Sequence, residues 1–407
     1  MSNRRRCYAA LYFGAILLGG CGASVPDHDR TDPIDIVPDL VIGENPNDPG
    51  QLFGRIDTFA ADSQGFIYIV DDHAGEIRRF DPGGELVWGV GKRGKGPGEF
   101  SHIAYIGVGF GRVYAVDVGN WRITVLDAAD GAVISTHRYE GPNAGQFTNG
   151  GPLRVESPTR IHFGASRLVP DTAGESPTGL RRIEALLSVD LDQETAIRRV
   201  LPYRLHRTYP FTRDGQAGVA GVVVMPFEPW FVWTPNPHGG ATYSWGGDYR
   251  IVVTDAAGDT LQILGRDVPA RRPTPDGWTR ARRDLEQQLA YARASKKDME
   301  KARLPREQAQ ILGLAYSRDG TQLWVQRTHF DADPVYDVFV DNAYACTVRL
   351  DMQGRVGVVF FQPIQVVGDR VYHYATHSRT DVPVVVRFDL STHPKWNECK
   401  RGAGRRR

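Results

Sequence analysis

The sequence predicts an all-β protein built from repeated four-stranded antiparallel units, and two observations lead to this. First, residues 65–81 and residues 111–127 match position by position at a constant spacing of 46 residues. Second, each copy contains apolar strands of alternating pattern separated by short polar turns. Because four-stranded units with a period near 45 are typical of propeller blades, we predict a six-bladed β-propeller with a helical insertion between blades 4 and 5.

The first two units carry the repeat most clearly. An apolar run precedes each copy, at residues 56–61 and 103–108, and supplies its first strand. The paired positions within the copies are Gly65 and Gly111, Tyr68 and Tyr114, Val70 and Val116, Asp71 and Asp117, Ile77 and Ile123, and Asp81 and Asp127. The recurrence of a strand that ends in Val-Asp and a following strand that ends in Asp defines the blade.

The remaining four units are predicted from periodicity alone. Strand-like runs place the third unit at residues 153–192, the fourth at 230–259, the fifth at 311–361 and the sixth at 364–389. The sixth has no evident fourth strand, whereas an unassigned apolar run lies at residues 36–42. Pairing of that run with the sixth sheet would close the ring and leave no exposed edge there.

One segment departs from the β pattern. After Thr274 and Pro275, the apolar residues Leu285, Leu289 and Ala292 recur at helical spacing among many charges. We therefore predict a helix or helix pair within an insertion spanning about residues 274–308, on the same face as the connectors between blades.

The connector between the first two units has the sequence GKGPGEF at residues 94–100. Its glycines supply positive φ angles, Pro97 stiffens the bend, and Phe100 is expected to fill the gap between two blades. This connector, together with the strand ends Val70-Asp71 and Val116-Asp117, resembles the corresponding parts of NHL-repeat six-bladed propellers. The resemblance covers residues 50–150, and it implies the fold rather than one activity, because such propellers include lyases, lactonases, glycosidases and binding platforms.

The N-terminal residues predict export. Arg4, Arg5 and Arg6 precede an apolar run at residues 8–18 that is too short to span a bilayer and suits a signal peptide. The following Leu18-Gly19-Gly20-Cys21 resembles a bacterial lipobox, which implies that Cys21 is lipidated. An ordinary signal peptide with an incidental cysteine is the alternative. We expect a lipid-anchored protein of the bacterial cell envelope that faces the periplasm or the cell exterior.

This interpretation divides the chain into four parts: a signal peptide (residues 1–20), a flexible tether (21–34), the propeller (35–397) and a basic C-terminal tail (398–407). Loss of the signal removes three arginines from 49 basic and 48 acidic residues, which leaves a net charge of about −2. That balance argues against nucleic acid as a partner. We expect a monomer. Cys346 and Cys399 either form a disulfide or remain free and buried.

Loop length indicates which face of the propeller is functional. If the first strand of each blade is innermost, the loops between strands 2 and 3 and the connectors between blades share one face, which we call the mouth. These loops are predicted to be long from the third blade onward, whereas the opposite, plain face has short turns. The long loops are residues 164–180, 234–240, 327–343 and 375–382. Elaborate loops on a rigid scaffold are the usual place for binding residues.

The candidate ligand-binding residues at the mouth come from all six predicted blades. They are Asp71, Asp72, His73, Asp117, Trp121, Arg167, Trp245, Arg327, His329 and His377. Several have a structural alternative. Asp71 and Asp117 recur at one blade position, which favours capping of backbone amides. Trp121 and Trp245 favour packing between blades. Arg327 and His377 suit either an anionic ligand or a solvated rim. His329 with Asp331 and Asp333 could begin a metal site, although chance also produces that spacing.

The sequence is compatible with two classes of function. No GxSxG, HExxH or Walker motif is present, so the catalytic residues are unknown. The favoured hypothesis is a binding or scaffold module whose mouth holds a small molecule, a glycan or a protein. The alternative is a hydrolase or lyase acting on a small-molecule or carbohydrate substrate. No cofactor is evident, and Ca²⁺ is the ion that the mouth carboxylates would suit.

Overall fold

The structure is a computed structural model that describes residues 32–138, 153–170, 180–202, 208–215, 219–269, 272–305, 307–327, 333–357, 364–377 and 380–403. Two short strands come first, β1 (Ile34–Ile36) and β2 (Leu40–Ile42), followed by a 3-10 turn at Pro49–Gln51. Six antiparallel sheets then form the blades, and the innermost strands of all six line one central cavity. The six-bladed propeller is confirmed.

Blades 1 and 2 follow the predicted repeat. Blade 1 contains β3 (Ile56–Ala61), β4 (Ile67–Asp71), β5 (Glu76–Phe80) and β6 (Leu86–Val90). Blade 2 contains β7 (Ile103–Gly109), β8 (Arg112–Asp117), β9 (Arg122–Asp127) and β10 (Val133–Arg138). Within each sheet the strands pair in chain order. Phe100 is 1% exposed and packs between the two blades, as predicted.

Blades 3 and 4 have the same internal order. Blade 3 contains β11 (Arg154–Ser157), β12 (Arg160–Pro170), β13 (Leu180–Asp190) and β14 (Thr195–Val200). A separate hairpin of β15 (Thr208–Phe211) and β16 (Gly221–Val224) lies before blade 4. Blade 4 contains β17 (Val232–Pro235), β18 (Gly239–Ser244), β19 (Arg250–Asp255) and β20 (Thr260–Gly265).

The helical insertion is a helix pair, α1 (Pro275–Tyr291) and α2 (Lys296–Lys301). Thr274 caps α1 by accepting a hydrogen bond from the amide of Gly277, and Pro275 occupies its first turn. The buried side chains of Leu285 and Leu289 pack against Phe211 and Val223 of the β15–β16 hairpin. Two successive connectors therefore join into one small apolar core beside the mouth. The hairpin partner was not predicted.

Blade 5 differs from the prediction in its third and fourth strands. It contains β21 (Gly313–Tyr316), β22 (Gln322–Arg327), β23 (Val335–Val340) and β24 (Ala343–Leu350). Residues 335–340 were expected to belong to a long mouth loop, and residues 356–361 to this blade. Instead, β25 (Arg355–Gly357) pairs with the sixth sheet. In addition, β1 pairs in parallel with β24 and adds a fifth strand to blade 5.

Blade 6 completes the ring. Its pairing with an N-terminal strand agrees with the prediction, whereas the inclusion of β25 does not. It contains β26 (Gln365–Val367), β27 (Arg370–His377) and β28 (Pro383–Asp389), with β25 beside the mouth end of β27. The N-terminal strand β2 pairs with β28 and supplies the missing outer strand. The run at residues 36–42 is thus split, since β1 joins blade 5 and β2 joins blade 6.

The C-terminal segment forms α3 (Pro394–Ala403), so residues 398–403 are helical where a basic tail was expected. Trp396 is fully buried against Trp324, with the ring centroids 5.7 Å apart. Lys400 forms an ion pair with Asp369. Cys399 in α3 is disulfide-bonded to Cys346 in β24. These contacts hold the helix on blades 5 and 6.

Candidate functional site

The connectivity places the mouth and the plain face as expected for blades 1, 2, 5 and 6. Turns between first and second strands, such as residues 62–66 and 110–111, lie on the plain face. One assignment was wrong, because residues 236–238 join β17 to β18 and therefore lie on the plain face. Residues 164–170, expected as part of a mouth loop, belong instead to the long strand β12, and residues 171–179 lie outside the described residues. The mouth is thus lined by strand ends, connectors and the helix pair.

Two buried carboxylates organise the mouth of blades 1 and 2. Asp71 accepts hydrogen bonds from the backbone amides of Gly54, Arg55, His73 and Ala74. Both groups of amides belong to the mouth: two precede the innermost strand and two follow the second strand. The carboxylate therefore ties the start of one strand to the loop after the next.

Asp117 does the same in blade 2. It accepts hydrogen bonds from the amides of Ser101, His102, Gly119 and Asn120, and its side chain is fully buried. This is the capping arrangement that the recurrence of the two aspartates predicts. By this correspondence His102 in blade 2 occupies the position of Arg55 in blade 1, and both side chains are placed at the mouth.

Those two side chains meet in a charged cluster centred on Asp72, which we call the Asp72 cluster. His102 Nδ1 lies 2.8 Å from Asp72 Oδ1 and 3.4 Å from Asp57 Oδ2. Arg55 donates to Asp72, and its Nε lies 2.8 Å from Asp57 Oδ1. Arg93, from the glycine-rich connector, donates to the Asp72 carbonyl oxygen at 2.7 Å. The cluster joins two blades and their connector.

The side chains of the Asp72 cluster differ in solvent exposure, from the buried Asp72 to the exposed Arg55 and Arg93. The Asp72 side chain is 3% exposed and that of Asp57 is 20% exposed. The side chain of His102 is 33% exposed, whereas those of Arg55 and Arg93 are 57% and 58% exposed. The buried carboxylates therefore fix the inner ends of cationic groups whose outer faces remain in solvent.

The environment shifts the titration of the three inner groups. The hydrogen bond to Asp72 raises the pKa of His102, and the Asp72 charge adds to this effect. Burial favours the neutral form of Asp72. The hydrogen bond from His102 and the positive charges of His102, Arg55 and Arg93 outweigh burial, so the pKa of Asp72 is lowered overall. Burial, followed by repulsion from Asp72, raises the pKa of Asp57. The contact between Asp72 and His102 thus favours the ionised forms of both groups.

Two other predicted charged residues have different surroundings. Arg327 lies 3.7 Å from the fully buried Asp337. Asp337 also pairs with Arg266 at 2.6 Å and accepts a hydrogen bond from Tyr249 at 2.7 Å. These contacts place Arg327 in a buried ion-pair network between blades 4 and 5. Its guanidinium neutralises Asp337 and so has a structural function.

Trp121 packs between blades, whereas Trp245 packs within blade 4 and against the connector from blade 3. Trp121 is partly buried against the apolar cluster shared by blades 2 and 3. Trp245 contacts Tyr243 at a centroid distance of 5.3 Å and donates its indole N–H to the Pro202 carbonyl at 3.2 Å. These contacts agree with the packing interpretation.

The remaining predicted residues are dispersed. His73 is exposed beside Asp72, and His377 ends β27, where its amide donates to the Val382 carbonyl. Arg167 lies in β12, but its side chain is outside the described part of the structure. Cys21 and His329 also lie outside the described residues. Of the predicted set, the structure brings Asp72 into a multi-residue cluster with groups from another blade.

The partners of Asp72 were missed. Arg55, Asp57, Arg93 and His102 lie in connectors or at the first residues of innermost strands, where isolated charges give no periodic signal. The repeat offered one route to them. Once Asp71 and Asp117 are taken as caps of the preceding connector, the residues just before each first strand become mouth residues.

The cluster contains donors suited to binding and three groups that could ligate a metal. The ligand atoms of Asp57, Asp72 and His102 lie within 4.8 Å of one another. Ca²⁺ prefers six to eight oxygen ligands, so two carboxylates and a ring nitrogen fit it poorly and are nearer to a Zn²⁺ or Mn²⁺ set. Arg55 already bonds both carboxylates and would have to leave. Among the described residues, no serine, threonine or cysteine side chain hydrogen-bonds to His102.

No helix in the described part of the chain is both long and apolar enough to cross a membrane.

Comparison with known proteins identifies the fold but no family. No family model and no curated protein match the chain. A member of the DUF4221 family from Bacteroides vulgatus ATCC 8482 has a TM-score of 0.50 at 12% identity, covering 87% of this chain and 97% of that one. BamB from Moraxella catarrhalis (TM-score 0.37, 15% identity, 82% and 85%) and a luciferin-regenerating enzyme (0.40, 11%, 86% and 95%) are also similar. The NHL-like character therefore rests on residues 50–150.

Proposed function

We propose that this protein is a lipid-anchored binding module of the bacterial cell envelope that holds a ligand at the mouth of its propeller. The observation that carries the proposal is the Asp72 cluster. It positions three cationic side chains from two blades and a connector, with their outer faces in solvent. Preorganised donors of this kind lower the entropy cost of binding.

The charges of the cluster indicate the class of ligand. Asp57 and Asp72 contribute two negative charges when both are ionised, Arg55 and Arg93 contribute two positive charges, and His102 adds a third when it is protonated. The carboxylates are the more buried members, so a ligand approaching from solvent meets guanidinium N–H groups first. Guanidinium groups bind carboxylate and phosphate oxygens in a bidentate manner. A peptide, glycan or small molecule with acidic groups is therefore the proposed ligand.

The N-terminal sequence supports the anchored location. The pattern Leu18-Gly19-Gly20-Cys21 after three arginines and an apolar run is that of a lipidated, exported protein. We expect the full chain to incorporate labelled palmitate and to sediment with membranes in a bacterial host. Cys21→Ser should abolish both. Unchanged labelling of that variant would contradict the anchor while leaving the ligand site open.

The ligand site is tested on the full chain in detergent. A thermal-shift screen with acidic oligosaccharides, neutral oligosaccharides and acidic peptides should give stabilisation by an acidic probe. Arg55→Gln should weaken binding of that probe at least tenfold, because it removes the more exposed partner of both carboxylates.

A matched control separates this site from general charge. Arg198 is exposed on the outer strand of blade 3, so Arg198→Gln removes the same charge far from the mouth. It should leave affinity unchanged. If an acidic probe binds the Arg55→Gln variant and the wild type equally, the ligand site is not at the Asp72 cluster.

A second candidate, an enzyme that uses a divalent metal, is favoured by the grouping of Asp57, Asp72 and His102. Bound metal would supply Lewis-acid chemistry, and these three residues would hold it. Zn²⁺, Mn²⁺ and Ca²⁺ are compared in the same thermal-shift assay with EDTA. Stabilisation that EDTA reverses and that His102→Ala abolishes would favour this candidate over the first.

A further inference from the structure

The opposite end of the channel contains a second group of cations, unconnected with the Asp72 cluster. A cavity of about 660 Å³, including its part open to solvent, is lined by the innermost strands of all six blades. Its charged lining residues are Arg154 from blade 3 and Arg318 from blade 5. Because Arg318 lies in a turn between first and second strands, this cavity is at the plain face.

Arg318 crosses the channel. Its Nη1 donates to the Ala61 carbonyl of blade 1 at 2.9 Å, and its Nη2 donates to the Val108 carbonyl of blade 2. Two of its five N–H groups are used in these bonds. The guanidinium is therefore fixed at the axis with further donors available.

Arg154 reaches toward the same place from the other side. Its Nη2 lies 3.7 Å from the position that a Cβ on Gly320 of blade 5 would occupy. Among the described residues, its guanidinium forms no hydrogen bond and no ion pair within 4.0 Å. A partly buried guanidinium without a partner is costly, because its charge has lost part of its hydration.

The nearest acidic side chains are already engaged. Glu156, Asp319 and Tyr316 interact electrostatically with Arg154 without forming an ion pair or hydrogen bond with it, and each interaction raises its pKa. Glu156 lies 2.5 Å from His162 Nε2, and Asp319 accepts hydrogen bonds from Ser317 and Thr321. Burial is the main cause of a lowered pKa for both Arg154 and Arg318. The described residues that line the cavity itself contain two guanidinium groups and no carboxylate.

We propose that the plain-face end of the channel binds a small oxyanion, either a carboxylate or a phosphate, between Arg154 and Arg318. The planar guanidinium of Arg154 provides paired N–H donors, which match the two oxygens of such a group. Gln365, which also lines the cavity, adds a neutral amide donor. The site goes beyond the proposed function, because it lies at the other end of the channel and shares no residue with the mouth.

Calorimetric titration of the full chain tests the site with two probes, inorganic phosphate and citrate, at constant ionic strength set by chloride. We expect at least one probe to bind, and the better probe identifies the class of anion. Arg154→Gln should weaken its binding at least tenfold. Arg154→Lys, which keeps the charge and loses the planar fork, should have an intermediate effect.

Two controls make the outcome specific. Arg198→Gln removes an exposed charge from the same blade and should bind the probe like the wild type. His102→Ala alters the mouth, so binding that His102→Ala weakens and Arg154→Gln leaves unchanged belongs to the mouth, and the reverse pattern belongs to the plain-face site. Thermal unfolding verifies that each variant is folded. The inference is overturned if neither probe binds at millimolar concentration, or if Arg154→Gln binds as tightly as the wild type.

Discussion

Asp117 links the repeat in the sequence to the geometry of the mouth. Its carboxylate is fully buried and accepts hydrogen bonds from four backbone amides, at 3.0 to 3.1 Å. Those amides hold the start of β7 against the loop after β8. Since His102 is one of the four residues, the capping bond also determines where its imidazole lies.

Asp117→Ala should therefore destabilise the protein by about 3 kcal/mol or more, because it leaves several buried amides without an acceptor. The free energy of unfolding in urea measures this. Asp130→Ala is the matched control, since Asp130 is exposed in a turn and accepts one amide from Ala132. That control should cost less than about 1 kcal/mol. Equal losses for the two variants would contradict the capping role.

His373 gives a pH dependence with a defined sign. It is buried in blade 6, donates from Nδ1 to the Tyr374 carbonyl at 2.6 Å, and burial lowers its pKa to about 4. The unfolded chain takes up this proton near pH 6.5, whereas the folded protein takes it up only near pH 4. The folded state thus loses relative stability as the pH falls between these values, by about 3 kcal/mol in total.

His373→Gln should remove this contribution. Urea midpoints measured from pH 7 down to pH 4 should fall more steeply for the wild type than for the variant. Any packing loss in the variant shifts its whole curve and does not change the comparison of slopes. Parallel curves would show that the imidazole does not stay neutral in the folded protein.

Individual elements differ in how well the sequence predicts them. Blades 1 and 2 were predicted with their connector because apolar alternation, turn glycines and Phe100 all indicate the same arrangement. Strand β23 was missed, since Asp337 in its centre makes the segment look like a polar loop. In the structure Arg266 and Arg327 face that buried carboxylate and Tyr249 donates a hydrogen bond to it, and partners from another blade have no local signal.

Helix α3 is a similar case. Lys400 and Arg401 suggested a solvated tail, but Trp396 and Cys399 lie on the buried side of the helix. Of the Asp72 cluster, Asp72 alone was predicted. Its partners come from a neighbouring blade and a connector, and only the closed ring brings them together.

The contribution of the Cys346–Cys399 disulfide to stability can be measured. It closes a loop with a sequence separation of 53 residues and holds the helix that buries Trp396. Loop-closure entropy predicts that the double variant Cys346→Ser and Cys399→Ser loses about 4 kcal/mol. Urea unfolding with and without a thiol reductant measures this. Reductant should lower the midpoint of the wild type and leave the double variant unchanged, whereas a wild type insensitive to reductant would contradict a stabilising bond.

At the scale of the whole molecule, the ring is closed on one side by N-terminal strands and braced at its centre by a side chain. Strands β1 and β2 join blades 5 and 6, and the disulfide adds a covalent link at the same place. Ring closure brings residues distant in sequence into contact, such as Leu40 and Arg387. Blade 1 packs directly on blade 6 through an apolar cluster that includes Phe59 and Val385. A contact across the channel also links blades 1 and 2 to blade 5.

Arg318 provides that contact, because it donates from blade 5 to the carbonyl oxygens of Ala61 in blade 1 and Val108 in blade 2. Arg318→Met should leave both carbonyls without this donor and destabilise the protein by about 2 kcal/mol or more. Arg318→Lys restores the charge but cannot span both acceptors, so its loss should lie between the wild type and the methionine variant. Urea unfolding followed by tryptophan fluorescence measures the three proteins. Should the methionine variant unfold at the same midpoint as the wild type, the channel does not need the brace, and closure by β2 and the disulfide suffices.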